Sequence, residues 1–228
     1  MEKLIVGFTG KIGVGKTTTC LHLANLLNSN GYSTGLASFG DGLRFAMSRE
    51  FRLHPSIMFD QQLKNKELGV LPGSEHLMKL VKNCPATAHL TETNTLRNLM
   101  QEYSQNGQRK ENPDIWVDYL NERVNFMPND IILVDDIRQK NELDYCRSNG
   151  IVFRIPPYKG YQFPEKANHA VESAIDDETE GINTIKELEF GEQNLINIAA
   201  KIADFLILFC KESEFDAVFQ RMGFTTLS

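Results

Sequence analysis

The sequence predicts an α/β fold, a three-layer sandwich in which a mostly parallel sheet of about five strands is covered by helices on both faces. Two segments carry that prediction. The aliphatic run Leu4-Ile-Val-Gly-Phe8 breaks into glycines between Gly10 and Gly15, and a helical pattern follows at once. The run Ile131-Ile-Leu-Val134 ends in Asp135-Asp136 and also leads into a helical stretch. Short, unbroken aliphatic runs suit strands buried on both faces, as the central strands of parallel sheets are. A third observation is continuity: strands and helices alternate with no internal repeat and no linker, so 1–228 reads as a single domain.

Taken in order, Thr17 to Leu27 places Cys20, Leu23, Ala24 and Leu27 on one helical face, and Asn30-Gly31 ends that helix. Ser33 to Phe39 reads as the second strand. Residues 41–127 form a helical insert without a strong strand candidate, with helices over Leu43–Phe51, Ser74–Lys82, Thr95–Tyr103 and Pro113–Phe126. After the Ile131 strand come a helix over Gln139–Ser148, a turn at Asn149-Gly150 and a strand over Ile151–Ile155. Residues 156–181 are polar, acidic and proline-bearing, the character of a mobile lid. Ile182–Ile185 reads as the last edge strand and Gln193–Phe209 as a closing helix.

Composition narrows the function classes. Hydrophobic residues make up 41% and charged residues 24%, as in an ordinary globular protein, and the net charge is −6. An acidic chain is poorly suited to non-specific nucleic-acid binding, which rests on phosphate neutralisation by Lys and Arg. Cys20, Cys84, Cys146 and Cys210 form no C-x-x-C pair and no zinc-ligand spacing, so they read as free thiols of a reducing compartment. The apolar run Leu4–Phe8 meets glycines and lysines too soon for a signal peptide, and Ile202–Cys210 is interrupted by Asp204 and too short to span a bilayer. A cytoplasmic location, in a bacterium or a virus-infected host cell, is expected.

Gly10-Lys-Ile-Gly-Val-Gly-Lys16-Thr17 fits the phosphate-loop pattern G-x-x-x-x-G-K-[S/T] without a mismatch. Glycines let the backbone wrap so that successive N–H groups face phosphate, and the helix that follows offers its positive end. In this reading Gly13, Val14, Gly15, Lys16, Thr17 and Thr18 hold ATP, Lys16 bridges its β- and γ-phosphates, and the Thr17 hydroxyl ligates Mg2+. The context requirement is met, because the loop leaves a buried strand and opens a helix.

Such a site needs an acidic group at the end of a neighbouring strand, and Asp135 and Asp136 stand there. Alternation along the strand sends the two side chains to opposite faces, so one of them does the work. Arg138 lies at the same carboxyl edge of the sheet, where open α/β folds bind ligands.

Together these residues resemble the P-loop deoxynucleoside monophosphate kinases of tailed bacteriophages. The resemblance rests on the loop, on Ser38-Phe-Gly-Asp-Gly-Leu-Arg44, on Arg97-Asn-Leu-Met-Gln101 with Asn106-Gly107, Arg109 and Pro113-Asp-Ile-Trp-Val117, on Asp136-Ile-Arg138 with Asn141-Glu142, and on His169-Ala-Val-Glu172. It implies transfer of the γ-phosphoryl group of ATP to a (deoxy)nucleoside 5′-monophosphate. It also implies that Arg44, Arg97, Gln101, Arg109, Arg138, His169 and Glu172 bind the acceptor. Asp136, more than Asp135, matches the family aspartate and with Thr17 would hold the metal. Lys16, Arg138, Asp136 and Arg44 would be the catalytic set. Small-molecule nucleotides are the expected partners, with no direct nucleic-acid or membrane partner; a homodimer stays open.

The sequence departs from the family in the lid. Relatives carry an arginine before the proline–glycine there, whereas this chain reads Ile155-Pro-Pro-Tyr-Lys159-Gly160. Their asparagine-containing turn near residue 187 is replaced by Lys-Glu-Leu-Glu. A competing reading exists: Lys11 within Gly10–Thr19 is also similar to the signature-lysine loop of partition-type dimeric ATPase switches. Against it stand Ser38-Phe-Gly-Asp-Gly after the second strand, Asp-Ile-Arg after the third, and the helical insert. Other small-molecule P-loop kinases, such as those acting on phosphomevalonate or dephospho-coenzyme A, share the loop.

Overall fold

A computed structural model describes residues 3–159, 161, 162, 175, 177, 178, 180–184, 191–211, 225 and 226. In chain order the elements are β1 (Leu4–Thr9), α1 (Lys16–Ser29), β2 (Thr34–Ala37), α2 (Phe39–Glu50), α3 (Pro55–Phe59), α4 (Gln61–Lys64), α5 (Ser74–Asn83), α6 (Leu96–Glu102), α7 (Arg109–Glu111), α8 (Ile115–Phe126), β3 (Ile131–Val134), α9 (Lys140–Ser148), β4 (Gly150–Arg154), β5 (Ile182–Thr184), α10 (Glu192–Lys211) and β6 (Thr225–Thr226). The chain divides into two compact units, Met1–Ser38 with Arg123–Ser228, and Phe39–Glu122. The bounds of the helical insert drawn from the sequence, 41–127, differ from the second unit by a few residues at each end.

The first unit carries a six-stranded sheet of order β2-β3-β1-β4-β5-β6. Strands β1 to β5 run parallel, and β6 adds antiparallel beside β5, so β5 is not the edge that the sequence suggested. Gly7 of β1 pairs with Val134 of β3, which pairs with Ala37 of β2. Thr9 pairs with Arg154, which pairs with Thr184. The carboxyl ends of all five parallel strands therefore share one edge, and the loop after β1 emerges there.

One face of the sheet is closed by α1 and α10. Cys20, Leu23 and Leu27 of α1 meet Ile198, Ala199, Ile202, Ala203, Phe205 and Leu206 of α10 over Phe8 and Phe153. Phe153 stacks on Phe8 with centroids 6.0 Å apart and meets the edge of Phe205 at 6.0 Å. Removing a buried ring from such a cluster costs about 3–5 kcal/mol. Within α10, Gln193–Cys210 is long and apolar enough to cross a membrane by length and composition alone. Its inner face is spent on this core. Helix α9 lies on the other face, drawn close to β1 at Gly7, where a Cβ would stand 2.5 Å from Ile137 Cδ1 and 3.1 Å from Cys146 Cβ.

The second unit is helical and has its own core, which includes Met47, Phe51, Met58, Leu68, Val81, Leu96 and Leu99. Local capping sets its short helices: Asp60 accepts N–H groups of Gln62 and Leu63 at 2.7 and 3.0 Å, and Thr95 forms a capping box with Asn98. The structure corrects three readings here. Phe39 starts α2 and is buried, so Arg44 lies in the second turn of that helix and does not open it. Helices α3 and α4 were not anticipated. The helix read over Thr95–Tyr103 does not stop there, because Tyr103–Gln108 keeps winding as a wider π-helical segment into α7. Trp116 is buried in the core, and its indole N–H donates to Ser104 Oγ at 2.9 Å.

Candidate nucleotide-binding site

The loop between β1 and α1 has the torsions that its glycines allow. Gly10, Gly13 and Gly15 have φ of 138°, 80° and 96°, a region in which side-chain-bearing residues are strained. A Cβ on Gly10 would stand 2.3 Å from the Ile155 carbonyl oxygen, and one on Gly15 would stand 2.6 Å from Leu195 Cδ1. Val14 anchors the loop in the core. The Tyr161 hydroxyl, just beyond β4, donates to the Ile12 carbonyl. The Lys16 ammonium donates to the carbonyls of Gly10 at 2.7 Å and Lys11 at 2.9 Å. These bonds hold the charge within the loop. Helix α1 begins at Lys16 and carries no acidic residue of its own in its first turn. Thr17 is exposed and Thr18 half-buried on that turn.

The two aspartates after β3 take different partners. The Thr17 hydroxyl donates to Asp135 Oδ2. The Ser38 hydroxyl donates to Asp136 Oδ2 at 2.5 Å. The resemblance pairs Thr17 with Asp136, whereas the structure puts Asp135 against Thr17 and directs Asp136 to the end of β2. Alternation beyond Val134 is the physical reason. Burial raises the Asp135 carboxyl above its ordinary value, and repulsion from Asp136 raises it further, while the Thr17 bond and Lys16 pull it back.

Arg138 is positioned through its backbone. Its N–H and that of Gln139 donate to the buried Glu142 carboxylate at 2.8 and 3.0 Å, where Gln139 and Glu142 form the capping box of α9. Arg138 lines a cleft of about 180 Å3 together with Gly10, Lys11 and Arg154. Sequence reasoning passed over Arg154. Its guanidinium donates to the carbonyls of Ile175 and Glu178, both at 2.7 Å. A basic residue closing a strand at the ligand-binding edge was the available signal. Lys159, in the stretch where the chain departs from the family's lid arginine, is exposed.

The remaining candidates lie in the helical unit. Arg44 pairs with Asp41 at 2.6 Å and stands 4.5 Å over the Phe59 ring. Arg97 donates to Asn65 and to Gln61, both at 3.3 Å. Gln101 is half-buried on α6, one turn beyond Arg97. Arg109 donates to the Pro113 carbonyl at 3.2 Å, fastening the approach to α8. Arg44 and Arg97, from α2 and α6, thus meet the same short segment, Phe59–Asn65, which the sequence did not single out. His169 and Glu172 lie outside the described residues.

A left-handed glycine loop between the central strand and its helix, with Lys16 and Thr17 opening that helix and Asp135 reaching Thr17 from the neighbouring strand, is the geometry of a phosphate-binding loop on an α/β sheet. Among solved structures the chain is similar to TT1252 from Thermus thermophilus, with 15% identity and a TM-score of 0.43 over 89% of this chain and 96% of that one. It is also similar to shikimate kinase from Acinetobacter baumannii in complex with shikimate, with 18% identity and a TM-score of 0.40 over 92% and 96%. No protein-family model matches the chain, and no curated protein sequence does.

Proposed function

We propose that this chain transfers the γ-phosphoryl group of ATP to a nucleoside 5′-monophosphate, giving ADP and the nucleoside diphosphate. The observation that carries the reading is the cleft in which Arg138 and Arg154 adjoin Gly10 and Lys11 of the phosphate loop. A hydrolytic switch has only a water to place beside the γ-phosphate. A phosphotransferase acting on a monophosphate must bring a second anion there, and cations on the acceptor side offset the repulsion.

Lys16 exchanges the Gly10 and Lys11 carbonyls for triphosphate oxygens. Thr17 and Asp135 are hard oxygen donors suited to magnesium, which when bound would neutralise charge on the triphosphate. Arg138 at the edge of the sheet holds the acceptor phosphate, and Arg44 and Arg97 are the helical unit's own candidates for binding the acceptor; guanidinium forks suit that task. An acceptor phosphate oxygen forms the new bond to the γ-phosphorus as the bond to the bridging oxygen of ADP breaks. The attacking oxygen is already anionic, so no general base is required, and catalysis is positioning plus charge neutralisation.

The test is to supply MgATP with each ribo- and deoxyribonucleoside monophosphate in turn and measure diphosphate formation. Turnover of at least one monophosphate is expected. Slow ATP hydrolysis alone, accompanied by ATP-driven dimerisation, would replace this reading with the partition-type switch.

A further inference from the structure

We propose that Phe59 is the platform on which the acceptor's base stacks, and so a residue that selects nucleotides over other phosphorylated small molecules. The assignment rests on the acceptor reading above and deepens it.

The observation is a juxtaposition within the helical unit. Phe59, at the end of α3, is 57% exposed although it is a large apolar ring. The Arg44 guanidinium stands 4.5 Å from its centroid and is held there by Asp41 at 2.6 Å. Arg97 is tied to Gln61 and Asn65, two and six residues further along the same segment. A nucleoside monophosphate is an anion joined to a flat ring through a sugar. Arg44 covers one face of the Phe59 ring and offers a cation for the phosphate, while the exposure of the ring leaves its other face for the base. Stacking tolerates any base, because every base has a π-face, and a cation beside the ring strengthens the assembly. A compact phosphorylated acceptor without a ring would gain nothing from Phe59.

Phe45 supplies an internal control. It too is exposed, at 53%, and has an arginine nearby, with Arg49 5.9 Å from its centroid. Its ring instead meets Tyr119 at 6.2 Å, and Arg49 is not one of the acceptor arginines.

Steady-state kinetics on Phe59→Ala should show the KM for the monophosphate raised roughly tenfold, a typical loss for one stacked base, with the KM for ATP and kcat nearly unchanged. Phe59→Leu, which keeps apolar bulk without a π-face, should behave like the alanine variant. Phe59→Trp should restore the wild-type KM, and Phe45→Ala should leave it unmoved. An unchanged acceptor KM in both Phe59→Ala and Phe59→Leu, or an equal rise in the KM for ATP, overturns the assignment while the kinase reading stands. A wild-type protein that phosphorylates no nucleoside monophosphate overturns both.

Discussion

The phosphate loop and the helical unit hold their candidate side chains in different ways. In the loop the organising contacts are with backbone: Lys16 rests on two carbonyls, and the Arg138 segment hangs from Glu142 by its main-chain N–H groups. In the helical unit two of the arginines are held by side chains, Arg44 on Asp41 and Phe59 and Arg97 on Gln61 and Asn65, while Arg109 rests on the Pro113 carbonyl. Backbone geometry that depends on glycine accepts little substitution, whereas a side-chain network can change its members and keep its shape. Under the proposed function, the donor side would tolerate few substitutions and the acceptor side more.

The sharpest way to break that comparison is at Lys16. Lys16→Ala should reduce phosphoryl transfer by a hundredfold or more, on the order expected for a removed charge-stabilising group, while thermal unfolding remains cooperative. Retained turnover would mean that the loop is not the donor site.

Asp135→Asn should cost about as much, roughly a hundredfold in magnesium-dependent turnover, whereas Asp136→Asn should cost less. The reverse order would restore the pairing that the resemblance implied. A stability readout accompanies it. The fold raises the Asp135 carboxyl above its ordinary value, so its ionisation disfavours the folded state once the pH exceeds the unfolded-state value. That penalty disappears as the pH falls through the raised folded value. Asp135→Asn removes the charge at every pH, and its melting temperature at neutral pH should exceed that of the wild type even as activity falls.

A smaller effect separates donor from acceptor. Arg138→Ala should raise the acceptor KM roughly tenfold, the scale of a lost charge-assisted hydrogen bond, and leave the affinity for ATP nearly intact, measured by nucleotide titration. An equal loss in both would assign Arg138 to the triphosphate.

These two regions were also unequally legible in the sequence. The β1–loop–α1 unit and β3 could be read because their signals are local: aliphatic runs, glycines at fixed spacing and a helix that opens on Lys-Thr. Phe39 misled because a buried aromatic after Ala37 extends a strand pattern as readily as it starts a helix. Helices α3 and α4 escaped because each is a turn or so long and is set by single caps, His54 and Asp60, rather than by periodicity. Asp135 and Asp136 are equivalent as letters; only the pleat beyond Val134 tells which one faces Thr17. Phe59 gave no signal at all, since an isolated phenylalanine reads as core and its exposure becomes visible only in the fold. Arg44 and Arg97 were found by resemblance, but their common meeting place at Phe59–Asn65 depends on tertiary packing.

The most direct test of the central claim follows the transferred group itself. ATP labelled at the γ-phosphorus, incubated with the protein, magnesium and a nucleoside monophosphate, should deliver its label to the β-position of a nucleoside diphosphate, with one ADP formed for each diphosphate. Label appearing only in inorganic phosphate, whatever monophosphate is supplied, would contradict the account.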